Sequence, residues 1–232
     1  MKSITVALSF LLATLASSEF TTLNSAHPEE AGAAIDIVPD EPSSNGLRQN
    51  SRSLQSGPNA EKRKINWRKV HNAARKKYQV QYGGTFTPIK WSDELHSEAL
   101  LWAKELVSNC VNRLPGSAKN PNNYGVNAAM NSKSRIFRSP FAVMNTWENK
   151  LQYGYPANSV MTQVLWGKTK YVGCADAASS GDAEKCSASV CYYAKAGNCA
   201  FGRFNGNWTQ AVVSGPACST NCPSDVVDEE YC

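Results

Sequence analysis

The sequence predicts a mixed α and β domain built in layers, and three observations carry that prediction. Apolar residues at helical spacing, Leu95, Ala99, Trp102, Ala103, Leu106 and Cys110, mark one strongly buried helix. Two stretches, KYVGCADA (Lys170–Ala177) and ASVCYYAKAG (Ala188–Gly197), alternate enough to be strands and are joined by the polar turn SSGDAEK. Helices and strands interleave too irregularly for a wound parallel sheet, and no internal repeat is evident.

The elements follow in chain order. Residues 1–18, MKSITVALSFLLATLASS, have a basic start, an apolar run and a small-residue exit, the layout of a cleaved secretory signal. That run is too short to span a bilayer comfortably, and no later segment approaches the apolar length a membrane span needs. Residues 19–64 are poor in aromatics and rich in Ser, Pro, Asn and Ala, so they bury too little surface to offset chain entropy and read as a disordered, pro-like segment. The segment ends at EKRK, where Lys62-Arg63 is either a dibasic processing site or the solvated start of a basic helix.

Asn66 is placed to cap a first helix carrying Val70, Ala74, Tyr78 and Gln81, broken at Gly83-Gly84. Ser92 caps the second helix, whose Asp93 and Glu94 suit the positive end of a helix dipole. Pro115 to Asn123 reads as a loop. Ser139-Pro140 opens a third helix with Phe141, Met144, Trp147 and Leu151 on one face. A short fourth helix spans about Asn158 to Trp166, and a loop-rich tail closes the chain.

The formal charge of +5 and pI near 8.7 suit an anionic wall or membrane surface without calling for a nucleic acid partner. All eight cysteines, Cys110, Cys174, Cys186, Cys191, Cys199, Cys218, Cys222 and Cys232, fall at or after position 110. Behind a secretory signal they read as a disulfide set, with about 105 connectivities open. A four-cysteine zinc site is the rival, since Cys186/Cys191 and Cys218/Cys222 are closely spaced. The chain has no G-x-S-x-G elbow, G-x-G-x-x-G or P-loop. His71 and His96 sit on predicted helices, with surface or capping roles expected, because a general base needs a nucleophile within reach. Asn207-Trp208-Thr209 is a glycosylation sequon at Asn207.

HNAAR (His71–Arg75), IKWSDEL (Ile89–Leu95), the Trp102-Ala103 pair with Cys110, YGVN, TQVLWGKTKYVGC and VCYYAKAGN occur together in one order. In that combination the chain resembles the CAP superfamily of cysteine-rich secretory proteins, antigen 5 and pathogenesis-related protein 1. The resemblance implies an α+β fold, an α-β-α sandwich with a central antiparallel sheet, over residues 65–205, followed by a Cys-rich extension over 206–232. It also implies the pairs Cys174–Cys191 and Cys110–Cys186, with two further bridges among the tail cysteines.

The family cleft often carries two histidines and two glutamates, a set suited to a divalent ion. At the matching positions this chain has Leu114, Val126, Lys150 and Val160, so the resemblance implies a degenerate cleft, no cofactor and no catalysis. Thr162, Gln163 and Trp166 are then expected as buried, hydrogen-bonded scaffold. Binding is the expected mode of action: sterol or fatty acid at the aromatic loop Tyr153, Tyr155 and Pro156, or an extracellular protein, cell-wall or defence-related partner. A metal-dependent or serine-type hydrolase is the disfavoured alternative.

Overall fold

Two apolar clusters lie on opposite faces of one sheet in the computed structural model, which describes residues 58–180 and 185–226, all within the unit Leu47–Cys232. The leader 1–18, the segment 19–57 and Cys232 lie outside the described residues. The first helix, α1, runs Pro58–Gln81, so it begins before Asn66 and includes the last residues of the segment expected to be disordered. The sheet consists of β1 (Lys90–Trp91), β2 (Gly125–Asn131), β3 (Tyr171–Ala178) and β4 (Ser187–Ala194), in the order β1-β3-β4-β2. β2, β3 and β4 are antiparallel as expected, while the two-residue β1 adds a parallel edge to β3. The remaining α-helices are α2 (Asp93–Ser108), α3 (Pro140–Glu148), α4 (Ser159–Leu165) and α5 (Trp208–Ser214).

Side-chain alternation on β3 and β4 sorts the layers. Val172 and Cys174 on β3, with Cys191 and Tyr193 on β4, join α1, α3 and α4 in the first cluster. Tyr171, Ala175 and Ala177, with Ala188, Val190, Tyr192 and Ala194, face α2 in the second. Both strands are therefore buried on both faces, which explains why their alternation in the sequence is weak. At Gly173 a Cβ would stand 2.1 Å from the His96 backbone nitrogen, so only glycine lets α2 lie this close to the sheet.

Three bridges fasten these layers. Cys174–Cys191 joins residues directly opposite each other on β3 and β4. Cys110–Cys186 ties the end of α2 to the start of β4, and Cys199–Cys218 closes the tail. The first two are the pairs the resemblance implies. Cys222 is disulfide-bonded as well, and no described cysteine is a free thiol, so the zinc alternative fails for want of thiolates.

The expected caps form: Ser92 Oγ accepts from Leu95 N at 3.1 Å, and Ser139 Oγ from Ala142 N at 3.2 Å. The tail completes the first of these. Asp225 accepts from Ser92 Oγ at 2.7 Å and from Glu94 N at 3.2 Å, while Glu94 Oε2 accepts from Ser224 N at 2.6 Å. The tail is also continuous with the core, because Ala211 and Val212 of α5 are fully buried in the first cluster.

Arg75 on α1 is fully buried and acts as a hub. Its Nε donates to Thr87 O (2.7 Å), Nη1 to Val164 O (2.9 Å) and Trp166 O (3.0 Å), and Nη2 to Thr169 O (2.9 Å). One turn later, Gln79 Nε2 donates to Leu165 O at 2.8 Å and Gln79 Oε1 accepts from Thr87 N at 2.8 Å. α4 is short and its last carbonyls have no partner within the helix, so α1 supplies their donors from the side. Arg75→Leu is expected to cost about 3 kcal/mol or more in urea denaturation of the oxidised protein, because it orphans several buried carbonyls at once. Val80→Ala, at an exposed α1 position, is the control and should change little.

Candidate functional site

The HNAAR segment places its three polar side chains in three different jobs. Asn72 clamps Ile89 from both sides, donating to its carbonyl at 3.1 Å and accepting from its amide at 2.7 Å, and so fixes the approach to β1. Arg75 gathers the end of α4 as described. His71 is fully buried rather than on the surface or at a cap, since α1 begins at Pro58 and carries it in mid-helix toward the sheet. Its Nδ1 lies 2.7 Å from Trp67 O and its Nε2 3.0 Å from Tyr193 Oη. Tyr193 Oη in turn accepts from Asn127 Nδ2 at 3.1 Å, and the same amide donates to Val160 O at 2.7 Å. This chain of contacts links α1, β4, β2 and α4 through the first cluster.

His71 also approaches the sulfurs of Cys174 and Cys191, the three candidate ligand atoms lying within 4.8 Å of one another. The two sulfurs are bonded to each other and both ring nitrogens have partners, so this cluster offers no metal site. Burial lowers the His71 pKa to about 4, with the Arg75 charge acting in the same direction and the Trp67 carbonyl opposing. His96 is half-buried, with Nδ1 2.7 Å from Cys174 O and its ring against Trp91.

Thr162, Gln163 and Trp166 are buried and hydrogen-bonded. Thr162 Oγ1 donates to Asn198 Oδ1 at 2.6 Å, Gln163 Oε1 accepts from Gly197 N at 2.9 Å, and Trp166 Nε1 donates to Pro216 O at 2.8 Å. Gly125 of YGVN lies so near that a Cβ there would meet Gln163 Oε1 at 2.3 Å. The stretch around Thr162 is scaffold.

The four residues that the resemblance matches to the family cleft lie in four separate segments of the chain. Leu114 is 63% exposed in the loop after α2, and Lys150 is exposed in the 3-10 turn Asn149–Tyr153. Val126 packs against the cluster under α2, whereas Val160 packs against the cluster under α1. In the aromatic loop, Tyr155 stacks on Phe201 with ring centroids 3.7 Å apart, Tyr153 is 68% exposed and Pro156 is exposed. Asn207 caps α5, its Oδ1 accepting from Gln210 N at 3.2 Å and from Thr209 Oγ1 at 2.7 Å.

An open groove that sequence reasoning missed lies at the far end of α1. Tyr78, Tyr82, Glu148, Asn149, Leu151, Gln152 and Trp208 line its volume of about 480 Å³. Three separated segments contribute: the last turns of α1, the exit from α3 and the first residue of α5. Tyr82 and Trp208 meet edge to face, with centroids 5.3 Å apart and planes at 84°. Glu148 Oε1 accepts a very short hydrogen bond from Tyr78 Oη and pairs with Lys77 Nζ at 2.8 Å. Burial pushes the Glu148 pKa up, but the donors Lys77 and Tyr78 outweigh it and hold the carboxyl below its usual value. The Lys77 pKa is raised, chiefly by its hydrogen bond to Glu148, and burial pushes the Tyr82 phenol up to about 12. The groove is thus ionised but internally neutralised near neutral pH.

Residues 68–193 match the CAP family, the Cysteine-rich secretory protein family, and the chain belongs to it. It is 34% identical over 122 residues to venom allergen 5.02 of Vespa crabro, covering 47% of this chain and 57% of that protein. It is 29% identical over 122 residues to venom allergen 5 of Polistes dominula, covering 47% and 52% respectively. The chain therefore spans about half the length of these relatives. Among solved structures, BmVAL-1 superposes with TM-score 0.48 at 19% identity, covering 65% of this chain and 84% of that one. Schistosoma mansoni venom allergen-like protein 4 gives 0.41 at 15% identity, covering 59% and 90%. Family membership and the disulfides point to an extracellular protein.

The buried His71 makes stability depend on pH. Because its folded pKa lies below its unfolded value, the unfolded chain binds more protons between about pH 6.5 and pH 4, and stability falls as pH drops through that window. The loss is on the order of 3 kcal/mol. His71→Gln should show a smaller difference in urea stability between about pH 7 and about pH 4 than the wild type.

Proposed function

We propose that this protein acts outside the cell by binding a cell-surface partner and not by catalysis. One observation carries this reading: half-exposed aromatic rings and unspent polar groups converge in the groove at the end of α1. In support, Leu114, Val126 and Val160 have side chains that neither ligate a metal nor move a proton, and Lys150 repels a cation. The two histidines among the described residues are already engaged, His71 with Trp67 and Tyr193 and His96 with the Cys174 carbonyl.

A sterol or fatty acid fits this groove less well than a surface partner does. Glu148, Asn149 and Gln152 are among its lining residues, so an apolar chain would meet hydrogen-bonding groups instead of a closed apolar envelope. At the other candidate lipid surface, Tyr155 is already stacked on Phe201. The reading includes a cleaved leader over residues 1–18 and a glycan on Asn207, whose side chain stands at an exposed helix start.

The reading is tested by incubating fluorescently labelled, oxidised protein with intact yeast, plant and insect cells, with Zn²⁺ calorimetry and a peptide-hydrolysis assay in parallel. Saturable retention on at least one surface, lost in Trp208→Ala and Tyr82→Ala, is expected, together with no zinc uptake and no hydrolysis. Hydrolysis by the wild type, or retention indifferent to both substitutions, would overturn it.

A further inference from the structure

We propose that the groove formed by Tyr78, Tyr82, Glu148, Gln152 and Trp208 binds a neutral saccharide. The proposal rests on the binding reading above and names the ligand class for that same groove.

A sugar ring has a weakly apolar C–H face and a rim of hydroxyls. It is held where an aromatic face meets hydrogen-bonding side chains in an accessible groove. This groove supplies both. Tyr82 and Trp208 stand nearly perpendicular, so together they form a corner with one ring as floor and the other as wall. Tyr78 extends the aromatic surface along α1, its ring centroid 5.8 Å from that of Tyr82. In the same lining, Glu148 Oε2 and Gln152 Oε1 accept no hydrogen bond among the described residues, since Glu148 uses Oε1 for Tyr78 and Lys77, and Gln152 donates through Nε2 to Asn149 O. These atoms are available to sugar hydroxyls, which are both donors and acceptors.

Charge selects against the other occupants. Aromatic rings beside a carboxylate would ordinarily suit a cation. Here Lys77 already takes that role, with Nζ 2.8 Å from Glu148 Oε1 and 4.6 Å from the Tyr78 ring centroid. An anionic ligand would place its charge against Glu148. The volume of about 480 Å³ lies within the range of small-ligand sites, and the groove's opening lets a longer chain run past it.

The test titrates the oxidised protein, as recovered from the medium of expressing cells, by calorimetry with cellohexaose, laminarihexaose, chitohexaose and mannohexaose. Choline, palmitate and a heparin hexasaccharide serve as cationic, apolar and anionic probes. At least one neutral oligosaccharide is expected to bind with Kd of about 0.1–1 mM. Trp208→Ala and Tyr82→Ala should weaken it roughly tenfold or more, and Gln152→Ala, at an exposed side chain, severalfold. Trp208→Phe keeps a ring at the site and should recover part of the affinity, which separates a stacking role from a folding defect. A choline, palmitate or heparin titration that saturates more tightly than every neutral oligosaccharide would overturn the proposal. So would sugar binding unchanged by the ring substitutions, or no sugar binding at all. If cell-surface retention still depends on Trp208 and Tyr82 but resists periodate treatment of the cells and excess oligosaccharide, the saccharide assignment fails while the binding reading stands.

Discussion

A buried guanidinium holding the end of a short helix is the interaction on which the rest of this structure depends. α4 is too short to be stable alone, and its terminal carbonyls point into the protein. Arg75 and Gln79 convert that deficit into a joint between α1, α4 and the loops on either side of them. A buried cation is costly when left without partners, so the joint forms nearly completely or fails. With α1 set in this way, His71 meets Tyr193, Asn72 meets Ile89, and Tyr78 and Tyr82 are delivered to the groove.

The sheet transmits that order to the opposite layer. Its central strands are buried on both faces, and the cross-strand bridge Cys174–Cys191 sits on the α1 side while α2 covers the other. At one end of the sheet a buried carboxylate is paired across elements: Arg63 Nη2 of α1 donates to Asp176 Oδ1 of β3 at 2.8 Å, and Ser189 of β4 donates to the same oxygen. Lys62-Arg63 is thus part of a helix, with its arginine engaged by the sheet.

Much of the scaffold was legible in the sequence because local rules agreed with the fold. The stripe from Leu95 to Leu106 and the serine caps at Ser92 and Ser139 follow directly from helix chemistry. β2 escaped notice because Gly125–Asn131 lacks β-branched and aromatic residues apart from Val126 and is a strand by pairing with β4. β1 has only two residues and exists through its neighbour β3. The start of α1 was missed because its first turns are polar and solvated, so no apolar period announces them. The groove was hidden for a different reason. Tyr78 and Trp208 are far apart in the chain, and Trp208 falls in residues that read as an extension until α5 is seen packed into the core.

The cap on α2 has a consequence for how the molecule is made. Ser92 and Glu94 are synthesised long before Ser224 and Asp225, yet it is those late residues that complete the start of the helix. A nascent chain leaving the ribosome therefore carries a central helix whose first turn is still open to water. Ser92 N on Val172 O and Lys64 on Asp93 hold that end to its neighbours beforehand, so the tail's part is to close the helix start last, as a clasp made by the latest residues of the domain on a helix near its beginning.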